Sequence, residues 1–282
     1  MGRRFYGDLG MGRRDLIKAI GAAGAGLIAT TACSTAQKQA TTTTSSPAAS
    51  PAASPAAVAA SPSSSNAAIE NRPSSDKITP DEALKLVMEG NKRFVEGKVA
   101  HPRGTMARVK DTAADQFPYA AFLSCADSRV PVEEVFDQGI GDCFVCRVAG
   151  NVATPQDIGS LEFGALVLGS KILLVIGHER CGAVLASMGR IGLPANPGSI
   201  PSLVPLIQPA VQTITERVAK EGIAKVGDDV DATIRLNVHN QVATLKTSPI
   251  LSQLEKEGKL KIVPAYYDLD TGVVQVLEPP KV

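Results

Sequence analysis

Cys125-Ala126-Asp127-Ser128-Arg129 and, downstream, His178-Glu179-Arg180-Cys181-Gly182 are the stretches of this 282-residue chain best equipped for chemistry. Two thiols and an imidazole form a Cys₂His set, which suits Zn²⁺ and leaves its fourth position free. Structural zinc sites are normally closed by four protein ligands, whereas catalytic sites keep one place for water. The spacing therefore points to one Zn²⁺ per subunit, held by Cys125, His178 and Cys181 in a reaction centre. Zinc lowers the pKa of a bound water to about 7, which yields a nucleophile at neutral pH. Asp127 would accept a hydrogen bond from that water and aim it. Arg129 would keep Asp127 ionised and oriented through a charge-assisted, bidentate pair. A second state stays open, in which Asp127 swings in as fourth ligand and closes the site. The plainer alternative is a structural zinc closed by Asp127 or another cysteine.

These residues need a scaffold that brings them together. Thr79-Pro80-Asp81-Glu82 predicts a helix start, with a capping threonine, proline in the first turn and acids beside the helix amino end. That helix places Leu84, Val87, Met88 and Phe94 at helical spacing and ends near Gly97. The apolar runs 119–124, 142–148 and 171–177 predict strands, the last being continuous and β-branched like a central parallel strand. Residues 155–168 predict a crossover helix and 228–246 a long helix. Residues 261–267 and 272–277 predict a strand pair around Asp270-Thr271-Gly272. Strands alternating with helices imply an α/β fold with a mainly parallel central sheet flanked by helices. Cys125 and His178 then sit at carboxyl ends of strands, where open α/β sheets put their sites. A helix beginning at Cys181-Gly182-Ala183-Val184 is expected to lower the pKa of Cys181.

Cys-x-Asp-x-Arg followed by His-x-x-Cys-Gly resembles the zinc signature of the β-class carbonic anhydrases. The resemblance runs from about Thr79 to Val282. Gly90-Asn91-Lys92-Arg93-Phe94 is similar to a first-helix motif of that family. Val135-Phe136-Asp137-Gln138-Gly139 through Gly141-Asp142, Arg147-Val148-Ala149-Gly150-Asn151 and Thr247-Ser248-Pro249-Ile250-Leu251 resemble further family segments. The resemblance implies the β-carbonic-anhydrase fold and reversible hydration of CO₂ to bicarbonate, in a homodimer or higher homo-oligomer. In the plant-like subgroup a glutamine nine residues before the first ligand reaches across the dimer to substrate, and Gln116 holds that place. Phe144, Phe163 and Gly182 fall where the family lines its substrate pocket. The subgroup with an allosteric bicarbonate site uses a tryptophan, and this chain has none. The plant-like type is therefore expected. Related zinc enzymes on this scaffold hydrolyse CS₂ or COS, which is the nearest alternative function; a zinc-binding homologue without turnover is another.

Other chemistry-bearing residues have blander readings. Cys143 and Cys146 lie three apart on a strand and point to opposite faces, so they should not chelate one metal. They read as small apolar core residues. His239 reads as a helix residue and His101 as a loop residue. Arg147 reads as a charge partner in a buried network. Gly139-x-Gly141 marks a turn, with no phosphate loop implied.

Ahead of the folded part (76–282), residues 1–33 read as an export signal. Arg13-Arg14 precedes a short Ala/Gly-rich apolar run, in the order of a twin-arginine signal. That run is shorter than the ~20 residues a membrane helix needs. Met11 offers an alternative start. Cys33 resembles a lipoprotein processing site, which makes it a candidate lipid anchor to a membrane; simple cleavage after a small residue is equally consistent. Residues 34–75, rich in Thr, Ser, Pro and Ala, read as a disordered tether. The expected location is the periplasm or a thylakoid lumen. Residues 1–40 carry six Lys/Arg and two Asp/Glu, leaving 23 basic and 26 acidic residues for the rest. A domain near −3, without a basic stripe, is not built to bind nucleic acid.

Overall fold

Apolar runs without polar alternation suit strands buried on both faces, and such runs build the centre of the sheet. The structure, a computed structural model, describes residues 78–222 and 227–279. The export signal, the tether and Cys33 lie outside the described residues. β1 (Ala120–Ser124) and β3 (Ile172–His178) are buried at every position. With β2 (Cys143–Arg147) and β4 (Lys261–Tyr267) they form a parallel sheet, and β5 (Val274–Val276) adds antiparallel to β4. The order is β2-β1-β3-β4-β5.

Alternate residues along each strand serve two separate cores. Ala121, Leu123, Leu173 and Val175 pack with Ile207, Ile234 and Val238 on one face. Ala120, Phe122, Ile172, Leu174 and Ile176 pack with Ala83, Val87 and Phe136 on the other. Each large side chain buried in this way contributes about 1.5–3 kcal/mol. Both faces are thus covered by helices, which is the mainly parallel α/β architecture the sequence predicts.

The first helix, α1 (Pro80–Val95), starts with a full capping box. The Thr79 hydroxyl accepts from the Glu82 amide, and the Glu82 carboxylate accepts from the Thr79 amide at 2.7 Å. Leu84, Val87, Met88 and Phe94 all meet the core, with a second set of residues seated more deeply. Ala83, Val87, Gly90 and Asn91 are buried, whereas Leu84, Met88 and Phe94 are only partly covered. The cause is a close backbone approach: a Cβ on Gly90 would stand 1.8 Å from the Phe136 carbonyl oxygen. Asn91 completes the docking, donating to the carbonyls of Val135 and Gly272 and accepting from the Val274 amide.

Short helices α2 (Met106–Asp111) and α3 (Val132–Val135) flank β1 in the chain. The crossover to β3 is α4 (Pro155–Glu162), continued by a π-helical turn over Phe163–Val167. After β3 come α5 (Gly182–Ser187), α6 (Val204–Glu221), α7 (Asp228–Lys246) and α8 (Pro249–Lys256). The sequence predicts α7 and the strand pair β4–β5 closely. It gives no expectation for α6, which carries Pro205 in its first turn and Pro209 in its interior.

Candidate metal centre

Strand register delivers two of the three ligands. Ser124, the last residue of β1, lies opposite Ile176 in β3. Cys125 follows directly on β1, and His178 closes β3, so both emerge at the carboxyl edge of neighbouring strands. Cys181 must turn back to join them, and Arg180 makes that turn in the left-handed region, at φ 51°. The turn is braced from β4 and beyond: the Glu179 amide donates to the Tyr267 carbonyl, and Arg180 grips Asp270 through two bonds of 2.9 and 2.7 Å. Cys125, His178 and Cys181 are all buried, and their ligand atoms lie within 4.8 Å of one another.

The donor chemistry fits a zinc ion. His178 Nδ1 donates to the Glu179 carbonyl at 2.8 Å, which puts the free lone pair on Nε2. That Nε2 is buried and has no hydrogen-bond partner, a costly state for a polar atom unless something electropositive meets it. It faces two thiols whose sulfurs are 4.0 Å apart. Their sulfur–sulfur hydrogen bond pulls Cys125 down to about 4, against the cost of burial, with help from His178 and the Gly150 amide. The same bond, with burial, pushes Cys181 up. The two sulfurs thus share one proton between them, the one that a divalent cation would displace.

The sulfur pairing opposes the lowering expected for Cys181. The Ala183 and Val184 amides at the start of α5 do lower its pKa, but the neighbouring Cys125 sulfur outweighs them. A six-residue helix is a weak dipole beside a sulfur anion 4.0 Å away.

Asp127 and Arg129 are joined by three hydrogen bonds. Arg129 Nε and Nη2 reach the two carboxylate oxygens at 2.9 and 2.8 Å, and the Arg129 amide donates to Oδ1 at 2.9 Å. These contacts hold the Asp127 carboxyl well below the usual carboxylate range. Asp127 Oδ2 lies 3.7 Å from His178 Nε2, at the mouth of the ligand cluster. The arrangement offers three soft or borderline ligands, and beside them a permanently ionised acceptor.

A family model described as carbonic anhydrase matches residues 120–274, from the start of β1 into β5. Carbonic anhydrase 2 of Mycobacterium tuberculosis is 38% identical over 201 residues, covering 68% of this chain and 90% of that protein. The chain belongs to the β-carbonic anhydrases. The carbonic anhydrase of Mycolicibacterium smegmatis is 34% identical over 208 residues, covering 72% of this chain and 95% of its own length. Among solved structures, a Coccomyxa β-carbonic anhydrase in complex with acetazolamide superposes with TM-score 0.52 at 27% identity, covering 68% of this chain and 85% of that one. A tetrameric β-carbonic anhydrase of Sordaria macrospora gives TM-score 0.52 at 26% identity, covering 61% and 87%.

Of the remaining positions, Gln116 and Phe144 lie toward the amino ends of the strands and Gly182 lies beside a ligand. Gln116 is exposed before the amino end of β1, in a cavity of about 650 Å³ shared with Phe117, Ile140 and Val167. Cys125 is at the opposite end of that strand, about 16 Å away for five residues at ~3.3 Å each. Phe144 lies opposite Ala121, also toward the amino end, and packs on Phe163 with ring centroids 6.4 Å apart. Gly182 is exposed directly after Cys181.

Cys143 and Cys146 divide between the two cores as expected, one on each face of β2, although both are only half-buried. His239 is a half-buried residue of α7 whose pKa burial lowers, and His101 is exposed in a loop. Arg147 corrects the expectation of a buried charge network. Its side chain is exposed, and it donates to the backbone carbonyls of Cys125 and Asp127 rather than to a carboxylate. A buried ion pair does form at the other end of β2, between Arg103 and Asp142, which also receives the Gly139 amide. A lone arginine in a loop gave no sequence signal for that role.

Proposed function

We propose that the chain is a zinc-dependent carbonic anhydrase of the plant-like type, catalysing reversible hydration of CO₂ to bicarbonate and a proton. The observation that carries this reading is the partnerless Nε2 of His178, enclosed with two thiols beside an ionised Asp127. Bound by Cys125, His178 and Cys181, zinc would supply the Lewis acidity that makes water nucleophilic near neutral pH. Asp127 accepts a hydrogen bond from the attacking water and directs its lone pair toward carbon. Arg129 holds both oxygens of Asp127, so that the acceptor neither rotates nor takes up a proton.

The working unit is a homodimer or a larger homo-oligomer. Gln116 and Phe144 lie too far along the strands to serve their own metal centre, which supports a role at that of a neighbouring subunit. Phe117, Ile140, Phe163, Leu166 and Val167 are exposed, an apolar surface of the kind a subunit interface covers. The absence of tryptophan supports the plant-like assignment. The decisive experiment measures ¹⁸O exchange between CO₂ and water, alongside zinc content. Exchange far above background at one zinc per chain is expected, and a zinc-loaded oligomer without exchange overturns the reading.

The enzyme is proposed to act outside the cytoplasm, with residues 1–33 as a twin-arginine signal, Cys33 as a candidate lipid site, 34–75 as a tether and 76–282 as the catalytic domain. Twin-arginine export carries folded proteins, so the thiolates would be metallated before they meet an oxidising compartment. Replacing Arg13 and Arg14 by lysine should leave unprocessed precursor in the cytoplasm, visible by fractionation and immunoblotting. Unchanged export would rule out the twin-arginine route.

A further inference from the structure

We propose that Arg147 is a positioning residue for the metal centre, acting through the backbone of the Cys125–Asp127 turn; the inference rests on the zinc reading above. Arg147 ends β2, in register with Ser124. From there Nε donates to the Cys125 carbonyl at 3.0 Å and Nη2 to the Asp127 carbonyl at 2.5 Å. The turn has already left the sheet at this point, so the strand ladder no longer fixes these two peptides. What remains is a short stitch between the exits of β1 and β2, with one turn bond from the Val130 amide to the Asp127 carbonyl at 3.1 Å. Val148 donates to the Ser124 carbonyl at 3.1 Å, Ala126 to the Val148 carbonyl at 3.3 Å, and the Gly150 amide to Cys125 Sγ at 3.3 Å.

The two carbonyls that Arg147 grips belong to the residue that supplies a ligand and the residue that supplies the acceptor. Fixing both peptides fixes the Cys125 sulfur relative to the Asp127 carboxylate. A planar guanidinium suits this task because its donors are rigidly spaced, whereas an ammonium is a single point. The site is solvent-facing, so water can replace the lost bonds and a deletion costs little global stability. Its effect falls on orientation, where a displacement of about 1 Å can lower a rate ~10²-fold.

The test compares Arg147→Ala and Arg147→Lys with the wild-type full chain loaded with zinc. Arg147→Ala should lower kcat about 10–100-fold with KM near wild type, and should release zinc to a chelator about 10-fold faster, as loss of an outer-shell partner does. Its melting temperature should stay within about 3 °C of wild type. Arg147→Lys should recover part of both kcat and zinc retention. Wild-type kcat and release rate in Arg147→Ala overturn the proposal. So does a large fall in melting temperature that lysine does not repair, since that marks a general structural role. Chelator release reads the clamp without reference to CO₂ chemistry. A wild-type chain that holds zinc but lacks exchange activity therefore fails the functional reading alone.

Discussion

Cys181→Ser should strip the chain of zinc and reduce CO₂ hydration to the uncatalysed background while leaving the fold intact. Serine is nearly isosteric, but its hydroxyl does not ionise near neutral pH and is a harder ligand than a thiolate. Only Cys125 and His178 would then remain, together with the acceptor Asp127. Losing an outer-shell partner already costs about 10–100-fold in metal affinity, so losing a ligand should cost more, and dialysed protein should retain only a small fraction of a zinc per chain. The fold should tolerate the change. A buried hydroxyl in place of a thiol costs about 1–3 kcal/mol if unsatisfied, against roughly 5–15 kcal/mol of total stability. Elemental analysis after dialysis, circular dichroism and ¹⁸O exchange on one sample decide the matter. Full zinc occupancy in Cys181→Ser would remove Cys181 from the ligand set. Cys143→Ser is the control and should keep its zinc, because that side chain belongs to the opposite core from Cys125 and Cys181.

The site was more legible in the sequence than the packing that supports it. Ligand chemistry depends on residue type and on short spacings, and Cys125, Asp127, Arg129, His178 and Cys181 all fall within two such segments. The strands were legible too, because burial on both faces imposes unbroken apolar runs such as 172–178. Helix α6 was not. Its Ile207, Ala210, Val211 and Ile214 do repeat at helical spacing and are buried. Pro205 sits in the first turn, where a missing amide costs nothing, and only Pro209 lies inside the helix. The depth at which α1 docks was illegible for another reason. Apolarity points to Leu84, Met88 and Phe94, but contact with the Phe136 backbone favours Gly90, the residue with no side chain. Arg147 and the Arg180–Asp270 brace were out of reach altogether, since both depend on which chain ends meet at the sheet edge. The pairing of the two thiols likewise needs the 4.0 Å sulfur separation, which no spacing rule supplies.

Asp127→Ala should separate the acceptor from the ligands: zinc stays at one per chain, while kcat/KM falls by about 10²-fold or more, the loss that follows when a reactant is no longer held in its attacking orientation. Asp127→Asn should do no better. Both carboxylate oxygens accept from Arg129, and an amide would turn its own donor toward the guanidinium. Arg129→Ala should be milder, because the amide of residue 129 still donates to Oδ1. Its effect at neutral pH cannot arise from ionisation. Arg129 lowers the Asp127 pKa, and removing it returns the carboxyl toward about 3.9, still ionised at pH 7. Any loss in Arg129→Ala therefore measures orientation, and the acid limb of the activity profile should move little with it. The comparison also decides how Asp127 stands to the metal. Acceptor and ligand make different demands on the same carboxylate, 3.7 Å from His178 Nε2. If Asp127→Ala releases zinc as readily as Cys181→Ser, then Asp127 is a fourth ligand at rest and the site is closed.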